Sequence, residues 1–302
     1  MTSVPRVSVV IPHLNDNAEL ERCLARLDAQ SPNAPPFEVI VADNGSREMP
    51  RAQCPRAVTT TVVVETRPGP GPARNRAAAI ARGDIIAFID ADCRADPEWL
   101  ANLAAAFERD RDLDVIAGRI LVDSATPGRP TGVEAYESVF SYRVKLFVER
   151  DHYAATGNMA VRRRVFEAVG PFDGVSRAED RAWGQRAAAL GHTIGYEPSA
   201  RVSTSGCTDF AELAQRMDRL VAHNHAERRS NARWVLQSVA MAGSPLRDLF
   251  VLALSPELSG LRSRLLASGV LIRIRTYRAA RMLQLMGRNW SPQHLASWNK
   301  LS

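Results

Sequence analysis

Apolar positions fall into short runs and helical stripes that alternate along the first third of the chain. Residues 7–11, 37–42 and 59–65 are compact apolar stretches, the last rich in Val and Thr, and each is bounded by turn-forming residues. Runs of this length predict strands. Between the first two, Leu20, Leu24 and Leu27 recur at helical spacing within 18–29. Gly69 to Pro72 open a second helix over 73–81, which Gly83 ends. A fourth apolar run, 85–89, follows, and Asp96-Pro97-Glu98 predicts a helix with Asp as N-cap and Pro in its first turn. This alternation predicts an α/β fold, a mostly parallel sheet covered by helices on both faces. From about residue 206 onward the pattern turns helical, beginning with 210–221.

The fourth run ends in two carboxylates, Asp90-Ala91-Asp92. Open α/β sheets bind ligands outside the carboxyl ends of their strands, where these aspartates would lie. Two hard oxygen ligands there suit Mg²⁺ or Mn²⁺ arriving with a diphosphate. A solvated turn would carry the same residues. Two other nucleotide signatures fail. Gly69-Pro-Gly71 is followed by Arg74 where a dinucleotide fingerprint needs its third glycine, and it lies after the third strand. No Gly-x-x-x-x-Gly-Lys-Ser/Thr occurs, which excludes a P-loop.

Bulk properties narrow the class further. With 302 residues, 45% apolar and 24% charged, the chain suits one large globular domain or two smaller ones. Cys23, Cys54, Cys93 and Cys207 are scattered without metal spacing. No signal-peptide pattern and no apolar run of about 18 residues is present. A soluble cytoplasmic protein is the expectation. The net charge of +6 is concentrated at the end, where no acidic residue follows Glu257. Arg262, Arg264, Arg273, Arg275, Arg278, Arg281, Arg288 and Lys300 alternate there with Leu265, Leu266, Leu271, Ile272 and Ile274. Such a segment, 261–290, could lie peripherally on the inner face of the plasma membrane, or pack its apolar side on the protein body. Nucleic acid is disfavoured, because no aromatic-and-basic recognition motif accompanies the charge.

At this point the motifs resemble those of a known family. Val7-Ser-Val-Val-Ile-Pro12-His-Leu-Asn15 is similar to the first strand and loop of the family 2 glycosyltransferases, which have the Rossmann-like GT-A fold. Asp43-Asn-Gly-Ser46, Ala73-Arg74-Asn75 and Asp90-Ala91-Asp92 resemble that family's donor-binding segments in order. Thr156-Gly157-Asn158 and Gly170-Pro-Phe-Asp173 resemble its return strand and turn, and Glu179-Asp180 its catalytic pair. These segments keep the family's order across residues 6–205. The resemblance implies donor contacts at Pro12, Asn15, Asp43, Arg74, Asn75, Asp90, Ala91 and Asp92. It implies a metal on Asp92 and Asp90, and Asp180, or less readily Glu179, as base. Gly157, Asn158 and Trp183 are the acceptor-side candidates. A nucleotide-binding part over 1–120, an acceptor side over 121–205 and a basic helical extension over 206–302 are expected.

Each position also has a plainer reading. Asp43 can accept from a uracil-like N–H or simply shape its Asn-Gly turn. Arg74 can meet phosphate or be surface charge. Glu179 and Asp180 can complement a helix dipole, which would also lower their pKa and keep the base ionised. Trp183 can stack on a sugar or fill the core. One departure stands out: Ala200 to Cys207 lacks the His with which many members complete the metal site. A Gln-x-x-Arg-Trp segment, the mark of processive synthases, is absent too. The expectation is an inverting transfer of one sugar, UDP-sugar favoured, to a glycan or glycolipid hydroxyl in envelope or polysaccharide synthesis. A non-catalytic nucleotide-sugar-binding protein of the same fold is the alternative. A sugar nucleotidyltransferase is a weaker one, since no glycine-rich basic loop follows the first strand.

Overall fold

The computed structural model describes residues 4–50, 58–174, 178–226 and 230–286. Cys54, Arg288, Lys300 and the end of the 261–290 stretch lie outside the described residues. The chain divides into two compact units, Met1–Leu121 with Arg143–Thr204, and Val122–Tyr142 with Ser205–Ser302. The stretch 122–142 is thus grouped with the C-terminal helices.

The first unit is built on β1 (Val7–His13), α1 (Asn17–Asp28), β2 (Phe37–Asp43), β3 (Thr60–Val64), α2 (Pro70–Ala78) and β4 (Ile85–Ile89). Then come β5 (Cys93–Ala95), α3 (Trp99–Arg109) and β6 (Val115–Asp123). An eight-stranded sheet runs in the order β3-β2-β1-β4, then β7 (Asn158–Arg162), β6, β8 (Ile194–Ser205) and β5. Its parallel character is confined to the first four strands, where β1 pairs β2 and β4, and β2 pairs β3. Beyond them β7 runs antiparallel to both β4 and β6, and β5 antiparallel to β8.

Helix boundaries show what the sequence pattern misjudged. Asp16 caps α1 by accepting from the Glu19 N–H, as its residue type favours. Helix α3 begins at Trp99, later than the Asp-Pro signal implied. Asp96 and Pro97 form a preceding turn, in which the Asp96 side chain accepts from the Glu98 N–H. Helix α2 ends at Ala78, before Gly83. Gly83 serves another purpose. A Cβ there would meet the Ser8 nitrogen at 2.7 Å and the Val7 carbonyl carbon at 2.8 Å, both backbone atoms of β1. Its N–H donates to Ser8 Oγ at 2.9 Å, and that hydroxyl donates to buried Glu38. Gly83→Ala is therefore expected to lower stability by about 1–3 kcal/mol through overpacking against immovable backbone. Urea denaturation would measure the loss.

The second unit contains α4 (Gly132–Phe140), α8 (Phe210–Ala226), α9 (Asn231–Gly243), α10 (Pro245–Leu254) and α11 (Gly260–Met286). Thr131 and Glu134 form a capping box at the start of α4. Helix α11 runs unbroken through Gly269 and buries Ala267, Leu271, Ile274, Met282 and Leu285 along one stripe. Much of its positive charge is engaged internally. Arg264 donates to the Leu252, Ala253, Ser255 and Leu258 carbonyls, closing the end of α10, and Arg281 meets Asp218. No helix of the described residues is long and apolar enough to cross a membrane.

Candidate active site

Three elements of the first unit bring the candidate residues together. Strand β4 delivers Asp90 at its carboxyl end, with Ala91 and exposed Asp92 in the turn beyond. Helix α2 contributes Arg74. Helix α7 (Glu179–Ala189) carries Glu179 and Asp180 in its first turn. Arg74 is the hub. Its side chain is buried, and one terminal nitrogen donates to Asp90 Oδ1 at 2.6 Å while the other donates to Glu179 Oε1 at 2.9 Å. Burial alone would lower the arginine pKa, but the Asp90 and Glu179 charges outweigh it and hold it above the ordinary value. Arg74 is thus not a free surface charge. It ties the turn after β4 to the first turn of α7.

Asp180 departs from the dipole argument. Burial first, then the neighbouring Glu179 charge, push its pKa up to about 6, against the opposing Arg181 N–H bond and Arg74 charge. The Arg181 N–H reaches Asp180 Oδ1 at 2.7 Å, so the helix terminus does act. Desolvation and like charge prevail over it. A carboxylate poised near neutrality is what proton abstraction requires.

The turn of Asp90 is shaped for close approach. A Cβ at Gly157 would sit 3.1 Å from Asp90 Oδ2, so glycine leaves that oxygen uncrowded. The residues fit part of a cation shell: two hard carboxylates, one of them exposed. Among the described residues no group of three or more His, Cys, Asp or Glu side chains could hold a metal. Register explains this locally. Cys93 and Arg94, just after Asp92, pair with Thr204 and Ser203 of β8, where hydroxyls offer only weak ligation.

Several expected contacts prove to be packing. Trp183 has no exposed surface; its indole N–H donates to the Gly170 carbonyl at 2.8 Å and its ring lies against Phe166 and Phe172. It fills the core and cannot stack on an acceptor. Asn158 is likewise buried. Its amide nitrogen donates to the Arg119 and Ala200 carbonyls, and its oxygen accepts from the Trp99 indole at 2.8 Å. Asn158 is not an acceptor contact but a cross-tie of three strands and α3. Asn75 forms a two-way bond with the Phe172 backbone, at 2.9 Å each way, so its side chain holds the Gly170–Asp173 turn and is not directed to donor.

At the strand ends of β1 and β2, Asp43 is buried. One carboxylate oxygen faces His13 Nδ1 at 3.2 Å, and the other accepts from the Gly45 and Ser46 N–H groups. Burial raises its pKa, yet the bonds from Ser46 and His13 leave it below the usual range. Its carboxylate shapes the turn, so a base-edge contact would fall to the turn it builds. Pro12 lies within β1 opposite Ala42. Asn15, at φ 63°, joins the same turn by donating its N–H to Ser46 Oγ and accepting from the Arg47 N–H.

Two residues escaped the sequence reading. His13 pairs with Asp43 in register across the parallel strands, a relation visible only when β1 and β2 are aligned. Tyr153 is half-buried, stacks on Phe147 at 5.0 Å, and feels the Asp180 charge. It is a partly exposed aromatic ring near Asp180, unlike the buried Trp183. Nothing in its local sequence marks it.

Known proteins resemble this chain in sequence and in fold. Over 228 residues the chain is 28% identical to the glycosyltransferase AglE of Haloferax volcanii, covering 73% of each protein. Over 120 residues it is 33% identical to validoxylamine A glucosyltransferase of Streptomyces hygroscopicus subsp. limoneus, spanning 38% of this chain and 26% of that one. Among solved structures, the mannosyltransferase PcManGT from Pyrobaculum calidifontis in complex with GDP-Man and Mn²⁺ aligns at TM-score 0.57 and 20% identity, over 95% of this chain and 88% of that one. S. aureus TarS 1-349 aligns at TM-score 0.51 and 18% identity, over 95% of this chain and 93% of that one. These likenesses establish the GT-A fold with its helical C-terminal region. Residues 8–170 match Glycosyl transferase family 2, and this protein belongs to that family.

Proposed function

We propose that the protein transfers a single sugar from a nucleoside diphosphate donor to an acceptor hydroxyl with inversion, Asp180 acting as general base. The observation that carries this is the Asp90–Arg74–Glu179 linkage, which sets the carboxyl end of β4 beside a raised-pKa carboxylate. Asp180 takes the proton of the acceptor hydroxyl as its oxygen forms a bond to the anomeric carbon. The bond from that carbon to the diphosphate breaks, and its electron pair leaves with the phosphate. No side-chain nucleophile is needed, so a one-step displacement inverts the centre.

Asp92 and Asp90 would hold a Mg²⁺ or Mn²⁺ ion, which supplies Lewis-acid stabilisation of the leaving diphosphate when bound. Two carboxylates suffice where substrate phosphates complete the shell. Support comes from the donor set and from the Mn²⁺ in the PcManGT complex. UDP-sugars are the first donors to assay. GDP-sugars belong beside them, since the buried Asp43 carboxylate is taken up by its own turn and PcManGT holds GDP-Man. A glycan or glycolipid hydroxyl is the acceptor class. Peripheral membrane contact through 261–290 draws support from exposed Leu261, Leu265 and Ile272, while the buried stripe and internal arginine bonds of α11 weigh against it.

The test is a screen of nucleotide-sugar turnover with Mn²⁺, followed by NMR assignment of the product anomer. An inverted product, and donor binding weakened at least tenfold in Asp92→Ala, are expected. A retained anomeric configuration would sink the single-base mechanism. Donor binding that responds to neither Mn²⁺ nor Asp92→Ala would sink the metal assignment. Tight donor binding without turnover would favour the non-catalytic binding protein.

A further inference from the structure

The second unit carries an open cavity of about 1040 Å³ lined by Arg233, Arg247, Arg275 and Arg278, with Trp234 and Met282 as apolar wall. Its positive charge is poorly compensated. Arg247 and Arg275 share one carboxylate, that of Asp248, at 3.1 and 2.9 Å. Neither Arg233 nor Arg278 has a carboxylate partner among the described residues, and Arg278 Nε is buried with no hydrogen-bond acceptor. Burial, and then the Arg275 charge, pull the Arg278 pKa below the ordinary value. Planar guanidinium forks in this setting match the oxygens of a phosphate.

The helices that line the cavity also expose apolar side chains. On α10, Leu246, Phe250 and Leu254 recur every fourth residue and are 85%, 68% and 67% exposed. Apolar groups concentrated like this on a protein surface mark a contact site. A partner that offers phosphate above hydrocarbon complements both features at once.

We propose that the α9–α10 face docks on an anionic membrane surface and that the cavity receives a lipid headgroup phosphate. The inference rests on no part of the transfer chemistry, because every lining residue belongs to the second unit. It differs from contact through 261–290 in placing the surface on the two preceding helices.

Flotation of the full chain with phosphatidylcholine vesicles, with and without phosphatidylglycerol, tests the proposal. Binding is expected only to the anionic vesicles and should weaken with salt. Each cationic side chain near such a surface contributes about fivefold in affinity, so Arg233→Gln combined with Arg278→Gln should weaken binding about 30-fold. The paired Lys substitutions should retain most of it, and circular dichroism would confirm that both variants fold. Leu246→Ser with Phe250→Ser should abolish vesicle binding. Equal flotation on neutral vesicles, or undiminished binding by the double Gln variant, overturns the headgroup site. Binding of inorganic pyrophosphate that is lost in the double Gln variant, without vesicle association, assigns the cavity to a soluble anion and overturns the lipid. A dimer abolished by the serine variants, again without vesicle association, assigns the apolar face to a second copy and does the same.

Discussion

Asp180→Asn is expected to abolish most transfer while making the protein more stable. Loss of a general base lowers the rate about 10²–10⁴-fold, with donor binding little changed, because Asp180 acts on the acceptor proton. The stability change follows from the carboxylate's environment. Its folded pKa is raised from 3.8 to about 6, so between those values the folded state binds more protons than the unfolded one. Stability on its account is full below pH 3.8 and is lost as pH rises through 6. Asparagine keeps the shape and removes the charge. At about 1.36 kcal/mol per pH unit the ceiling is ~3 kcal/mol above pH 6, and partial exposure of the side chain reduces the expected gain to about 1–2 kcal/mol. Denaturation of both proteins at pH 7.5 and pH 4 would show the difference shrinking at the lower pH. The wild-type rate should itself fall below about pH 6 as the base protonates. A variant both inactive and less stable at neutral pH would place Asp180 in a structural role. Conflict between function and stability is the usual state of an active-site charge.

The chemistry of the site was more legible than its scaffolding. Asp90, Asp92, Glu179 and Asp180 stand out because carboxylates at a strand end or helix start are local patterns. Parallel strands β1, β2 and β4 were equally plain from their short, largely apolar runs. What the sequence could not rank were motif residues whose role depends on distant partners. The Asn158 amide meets backbone 39 and 42 residues away and an indole 59 residues away. Whether such an amide faces ligand or core is decided by strands that no local period connects. The same holds for Asn75, which meets Phe172 97 residues on. The motif segments therefore mix side chains taken up by the core with carboxylates left at strand and helix ends.

The antiparallel half was hidden for a different reason. Strand β6 contains Gly118, and β8 contains Pro198 among alternating polar and small residues, so neither has a clean period. The Asp180 pKa was misjudged in sign because the helix terminus is visible in sequence, whereas burial beside Glu179 is not. The C-terminal arginines were left between two readings for a similar reason. Composition shows a basic stretch, but only packing shows that Arg264 and Arg281 turn inward while Arg233 and Arg278 stay without carboxylates among the described residues.

Arg74→Met should produce the largest loss of stability among single changes at the site. Arg74 is 3% exposed and answers Asp90 and Glu179 with one forked guanidinium. Methionine preserves much of the volume, so cavity formation is a minor contribution. The loss comes from the two carboxylates, with Asp180 beside them, left without a counter-charge. Removing one partner of a buried pair typically costs about 3–5 kcal/mol. Here the Asp90 side chain is 39% exposed and that of Glu179 17%, so hydration recovers part, and about 2–4 kcal/mol is expected. Lysine would do only partly better, since a single ammonium cannot fork between the two acids. Guanidinium denaturation followed by the buried indoles of Trp99 and Trp183 reports on this unit. Adding Glu179→Gln to Arg74→Met removes one stranded charge and should restore about 1 kcal/mol or more. If Arg74→Met leaves the midpoint unmoved, or the second change deepens the loss, the tie between the β4 turn and α7 is not electrostatic.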